Sequence, residues 1–171
     1  MACPSGQIAT PVTDGATTNI DGCSACSAGT YSAGGYVTTC TATNCPAGKI
    51  ASKTGAVNDT DGCSVCPVGS FSSGASATSC SDMVCPAGQI ATNVSDGAKD
   101  KTDGCSSCQP GTYSPGGMEI SCTASNCTAG QIATKTGAIN TIDGCTACAI
   151  GKYSAGGSAN SCSNMNCQSG K

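Results

Sequence analysis

Seventeen cysteines in 171 residues are the side chains that could do chemistry here, and their spacing is fixed. The motif C-x2-C-x13-C-x4-C occurs at residues 21–45 (DGCSACSAGTYSAGGYVTTCTATNC), 61–85 (DGCSVCPVGSFSSGASATSCSDMVC), 103–127 (DGCSSCQPGTYSPGGMEISCTASNC) and 143–167 (DGCTACAIGKYSAGGSANSCSNMNC), without an insertion. Four thiolates at such a spacing can hold a structural zinc ion. A Cys-x-x-Cys pair can exchange electrons as a dithiol, and paired cysteines can be oxidised to staples. The zinc reading is disfavoured because the last cysteine of each motif also opens the next repeat, and because the chain has no His. The redox reading needs a βαβ setting that is absent. The disulfide reading remains.

Other chemistry is scarce. With no His, no Arg and a single Glu (Glu119), general acid–base constellations cannot be assembled, so no enzyme activity is expected. The acids at Asp59-Thr60-Asp61-Gly62 and around Asp96, Asp100 and Asp103 fall short of an EF-hand loop, which needs more oxygen ligands and a closing Glu. They read as solvated turn acids, and no cofactor or metal is expected. The net charge of −3, without a basic cluster, lacks the footprint of a nucleic-acid binder. No apolar run reaches membrane-spanning length.

A chain with 3% aromatics and no Trp cannot bury a conventional core. Its hydrophobic content is mostly Ala and Cys, small side chains at roughly 25 cal/mol per Å² buried, against ordering costs of about 1–2 kcal/mol per residue. Covalent staples must supply the difference, which implies an oxidising compartment. Cys3 follows Met1-Ala2 at once, with no charged and apolar leader between. The 171 residues are therefore expected to be a segment of a longer chain whose fifth repeat opens at residues 167–171.

The elements that must position the cysteines repeat with them. Repeat one spans 1–44 (odd type), repeat two 45–84 (even), repeat three 85–126 (odd) and repeat four 127–166 (even). Odd repeats carry TPVTDGATTNIDGC or TNVSDGAKDKTDGC before the Cys-x-x-Cys, and even repeats carry SKTGAVNDTDGC or TKTGAINTIDGC. Each repeat opens Cys-[Pro/Thr]-[Ala/Ser]-Gly-[Gln/Lys]-Ile-Ala. Ile8, Ile50, Ile90 and Ile132 recur, as do Tyr31, Phe71, Tyr113 and Tyr153, and these are expected to be covered by stacking along the chain. The Asp-Gly before each Cys-x-x-Cys signals a tight turn. No helical periodicity is visible. The fold class expected is a small disulfide-rich repeat protein of turns and short β-ribbons, almost without helix, arranged as an elongated rod of tandem modules.

Two pairing schemes fit the spacing. The crossed scheme joins Cys23–Cys40, Cys26–Cys45, Cys63–Cys80, Cys66–Cys85, Cys105–Cys122, Cys108–Cys127, Cys145–Cys162 and Cys148–Cys167. It is preferred because cysteines three apart can send side chains to opposite sides of a ribbon, and because it ties each repeat to the next. The sequential scheme joins the first cysteine of a repeat to the second and the third to the fourth.

The motif C-x2-C-x-x-G-x-[YF]-S-x-G-x5-C-x4-C resembles the cysteine-rich modules of ephrin-receptor-like and tumour-necrosis-factor-receptor-like ectodomains. The wider pattern of Cys-Pro-Ala-Gly openings, Ala/Ser/Thr/Gly filler and eight-cysteine tandems is similar to the surface (immobilization) antigens of ciliates. That resemblance implies an abundant coat protein at a protist surface, secreted or held by a lipid anchor, and it transfers no functional residue. Sequons at Asn58, Asn93 and Asn126 are acceptors for N-linked sugar if the chain is secreted, Asn126 the weaker because a bridged cysteine follows it. Thr10, beside Pro11, and other Ser and Thr residues offer O-linked sites. The function expected is a structural, glycosylated coat or fibre protein whose partners are its own neighbouring repeats and further copies of itself. The alternative is a receptor or adhesin stalk, for which Tyr36, Met118 and Ile120 are the nearest thing to a binding patch.

Overall fold

The computed structural model describes residues 2–12, 17–18 and 21–166. Among them there is no helix, and sixteen strands of two or three residues pair into eight separate antiparallel ribbons. Repeat one pairs β1 (Gln7–Ala9) with β2 (Cys23–Ala25), and β3 (Thr30–Tyr31) with β4 (Thr41–Ala42). Repeat two repeats this with β5 (Lys49–Ala51) on β6 (Cys63–Val65) and β7 (Ser70–Phe71) on β8 (Ser81–Asp82). In repeat three β9 (Gln89–Ala91) pairs with β10 (Cys105–Ser107) and β11 (Thr112–Tyr113) with β12 (Thr123–Ala124). In repeat four β13 (Gln131–Ala133) pairs with β14 (Cys145–Ala147) and β15 (Lys152–Tyr153) with β16 (Ser163–Asn164).

Each repeat is two copies of one device. A Cys-x-x-Gly turn reverses the chain, a short strand follows, and a ribbon closes on a second cysteine. In repeat one the first turn is held by the Gln7 N–H donating to the Pro4 carbonyl, and the second by the Thr30 N–H donating to that of Ser27, both at 3.1 Å. The ribbons close alike, Cys26 N–H donating to Gly6 C=O and Thr43 N–H to Gly29 C=O, both at 2.9 Å.

This device sets the disulfides. The turn brings its leading cysteine back beside the return strand, where Cys3 meets Cys23 at a Cα separation of 5.7 Å and Cys26 meets Cys40 at 5.8 Å. The same pairing recurs as Cys45–Cys63, Cys66–Cys80, Cys85–Cys105, Cys108–Cys122, Cys127–Cys145 and Cys148–Cys162. The crossed scheme is thereby corrected: Cys23–Cys40, Cys26–Cys45, Cys63–Cys80, Cys66–Cys85, Cys105–Cys122, Cys108–Cys127 and Cys145–Cys162 are not formed. Cys148 pairs with Cys162, so Cys148–Cys167 is not formed either; Cys167 itself lies outside the described residues. Cys23 and Cys26 do part company as expected, but each turns to the cysteine of its own ribbon. Among the described residues no disulfide crosses from one repeat to the next.

Backbone hydrogen bonds join the halves instead. Cys3 and Gly35 exchange two bonds of 2.7 Å, and Ala9 N–H donates to Val37 C=O at 2.8 Å. The second half then receives the segment before the next Asp-Gly, which we term the excursion. Gly55 N–H donates to Cys26 C=O at 2.7 Å, and Ser32 N–H to Ala56 C=O at 3.1 Å.

The chain forms two compact units. One comprises Met1–Asp82 with Asn93–Asp103, and the other Met83–Thr92 with Gly104–Lys171. The excursion of repeat three belongs with the first unit because it docks on repeat two, where Ser72 N–H donates to Ala98 C=O at 3.1 Å. In the second unit the excursion of repeat four docks on repeat three through Gly137 N–H to Cys108 C=O (2.7 Å) and Ser114 N–H to Ala138 C=O (3.1 Å).

Apart from Met83, what is fully buried is small. Ala51, Ala56, Ala91, Ala98, Ala133 and Ala138 are buried together with the leading cysteines of the turns. The recurring Ile and the aromatics of the first three repeats are only half-buried. The backbones approach too closely for large side chains to lie between them, so Ala and cystine form the core that Ile and Tyr were expected to form.

Candidate functional site

Sixteen cysteines are oxidised in pairs, so none of those sulfurs is a thiolate open to a metal or a redox partner. Of the acids considered for calcium, Asp61, Asp100 and Asp103 accept hydrogen bonds from backbone N–H groups. Asp61 accepts from Lys53 Nζ at 2.6 Å and from the Val57 N–H at 3.0 Å. Asp143 accepts from Lys135 Nζ at 2.7 Å and from the Ile139 N–H at 2.9 Å. Asp103 accepts from the Lys99 N–H at 3.0 Å. Asp21 accepts from the N–H and hydroxyl groups of Thr17 and Thr18. Thus the Asp of every Asp-Gly turn folds the excursion before it, a role beyond the turn signal read from sequence.

These bonds favour the ionised carboxylates. Lys53 and then the Val57 N–H hold the Asp61 carboxyl below its ordinary range, and Lys135 and Ile139 do the same for Asp143. The Thr17 hydroxyl, followed by that of Thr18, lowers Asp21 strongly. Asp100 is lowered chiefly by the Thr102 N–H. Among the described residues no group of three or more His, Cys, Asp or Glu side chains is placed to hold a metal ion.

All three sequon asparagines are exposed. Asn58 lies at the tip of an excursion, its Oδ1 accepting from the Thr60 N–H at 3.1 Å in a local turn. Asn93 opens the excursion of repeat three. Asn126 is exposed although Cys127 beside it is buried and bridged, so the neighbouring staple does not hide it. Tyr36 is 78% exposed in the first unit, and Met118 (56%) and Ile120 (62%) are exposed in the second.

Repeat four leaves exposed a face whose counterparts in repeats one to three are covered. Gly6, Gly48 and Gly88 are buried against the next excursion, and Gly29, Gly69 and Gly111 are buried too, whereas Gly130 and Gly151 are exposed. Tyr153 is 52% exposed, and Ile150 and Met165 are exposed. Sequence reading missed this docking, although a signal was present. The dipeptide Gly-Ala recurs in every excursion, as Gly15-Ala16, Gly55-Ala56, Gly97-Ala98 and Gly137-Ala138, within a segment that otherwise drifts.

Compared with the models of known protein families and with curated proteins, the chain matches none. Its functional reading therefore rests on its own residues.

Proposed function

We propose that this chain is a structural, glycosylated extracellular protein, a segment of a coat or fibre at a protist cell surface. The observation that carries the reading is the stapling of every half-repeat by its own disulfide around a core of Ala and cystine. Such an arrangement is stable only where disulfides persist, and it offers many equivalent neighbour contacts. Exposed Asn58, Asn93 and Asn126 support it, since sugars there would shield backbone that small side chains leave bare. A spacer or lattice element in which each module meets only its neighbours is the role that fits.

Expression of the segment through a eukaryotic secretory pathway tests this. The expected product is secreted, has a mass sixteen hydrogens below that of the reduced chain with respect to its eight staples, and loses added mass on amidase treatment. Replacing Asn58, Asn93 and Asn126 by Gln removes that increment. A chain retained inside the cell, or secreted without sugar, contradicts the reading. The exposed Tyr36, Met118 and Ile120 favour the second reading, a receptor or adhesin stalk. That reading requires saturable binding to a cell surface or matrix that falls when these residues become Ser.

A further inference from the structure

Pairing within each half-repeat decides which peptide bonds hold the molecule together. A bond inside a disulfide loop can be cut without parting the chain, because the staple still joins the two sides. Only the connectors between consecutive loops are single threads, at residues 24–25, 41–44, 64–65, 81–84, 106–107, 123–126 and 146–147. None of these connectors contains a Lys, and the chain has no Arg. Lys49 and Lys53 lie inside the Cys45–Cys63 loop, Lys99 and Lys101 inside Cys85–Cys105, Lys135 inside Cys127–Cys145 and Lys152 inside Cys148–Cys162. The crossed pairing would have left all of them but Lys152 outside every loop.

These lysines differ in what a protease meets. Lys49 and Lys152 sit in β5 and β15, whose backbones are paired. Lys53 and Lys135 are held by Asp61 and Asp143 at 2.6 and 2.7 Å. Lys99 and Lys101 are exposed, lie outside any strand, and have no carboxylate within ion-pair distance among the described residues. We propose that the excursion of repeat three is a nicking site for a trypsin-class protease, cut after Lys99 or Lys101, and that the Cys85–Cys105 staple retains both sides in one molecule. In the step one peptide C–N bond breaks and one water is added across it, giving a new carboxylate and a new amine. The cut falls on the C-terminal side of Gly97 and Ala98, whose contacts with Gly48 and Ser72 seat the excursion, so the docked part stays in place. This goes beyond the proposed function and does not rest on it, since the same nick is tolerated in a coat protein or in a receptor stalk.

Trypsin acting on the native, unreduced protein tests this. The intact mass should rise by one water while the product stays a single species, and reduction should then part it into two chains meeting at Lys99 or Lys101. Replacing both lysines by Gln should slow the first cut by at least about tenfold, because cleavage then waits for rarer local openings. Exhaustive digestion in moderate urea, with the staples intact, reaches the other lysines and should still leave one covalent molecule, less any peptide excised between two cuts in one loop. Ala42→Lys places a cleavable residue at an exposed position of a connector and should release residues 1–42 under the same conditions. A first cut elsewhere, an undiminished rate in the Gln variant, or a native chain left uncut while the reduced and alkylated chain is digested would overturn the proposal. So would wild-type fragments that part before reduction, or residues 1–42 retained in Ala42→Lys.

Discussion

Gly48 and Gly97 lie backbone against backbone: a Cβ on either would fall 2.4 Å or less from the other's carbonyl oxygen. Both have positive φ, and both are buried. Gly97→Ala should therefore lift the excursion of repeat three off repeat two, at a cost of about 1–3 kcal/mol for forcing a methyl into occupied space. Gly55→Ala is the control, because it shares the positive φ but has room for the methyl. Hydrogen exchange at the Ser72 amide should accelerate in the first variant much more than exchange at Ser32 does in the second. Equal effects would show that backbone conformation, and not contact, dominates.

Ala75 is the one non-glycine residue with positive φ, at 59°, among those described. Its counterparts are Gly35, Gly117 and Gly157. The two hydrogen bonds it exchanges with Cys45, of 3.0 and 2.7 Å, impose that conformation. A left-handed Ala costs roughly 1–2 kcal/mol, part of which Gly returns through the greater freedom of its unfolded chain. Ala75→Gly should stabilise repeat two by about 0.5–1 kcal/mol, read as a higher denaturant midpoint with disulfides intact.

Acid should loosen the excursions before the ribbons. The folded Asp61 and Asp143 carboxyls titrate below their unfolded value of about 3.9, so their contribution is whole above that pH and is lost as pH falls through the folded value. Amide exchange at Val57 and Ile139 should follow the ordinary pH trend from neutrality to about pH 4 and lose protection below it. Asp61→Asn should abolish this step at Val57 and leave it at Ile139.

The fold class was legible because cysteine spacing, turn glycines and missing aromatics all point one way. The pairing was not, because spacing alone admits both the crossed scheme and the sequential one that forms, and the preference for the crossed scheme read Cys23 and Cys26 as belonging to one ribbon. Each in fact belongs to a different Cys-x-x-Gly device: Cys3-Pro4-Ser5-Gly6 leads to Cys23, and Cys26-Ser27-Ala28-Gly29 leads to Cys40. That half-repeat echo was present in the sequence. The burial of Ala56 and Ala98 in place of Ile and Tyr was harder to see, since it follows from how closely two backbones approach. The exposure of Asn58 and Asn93 was readable from their place in the variable segment before Asp-Gly; that of Asn126, beside a buried and bridged cysteine, was not.

Reduction should unfold the chain. Each staple closes a loop of 14 to 20 residues, worth about 3 kcal/mol in the chain-entropy model, and the Ala core cannot compensate. Reduced and alkylated protein should lose its protease resistance and its native circular dichroism. Retention of both would show that the staples are dispensable.

The central claim, that among the described residues every half-repeat is closed by its own staple and no disulfide bridges two repeats, is tested most directly by mass-spectrometric peptide mapping of the unreduced protein after non-specific digestion. The account predicts linked peptides carrying Cys3 with Cys23, Cys26 with Cys40, Cys45 with Cys63 and Cys66 with Cys80. Peptides linking Cys26 to Cys45 or Cys66 to Cys85 would contradict it.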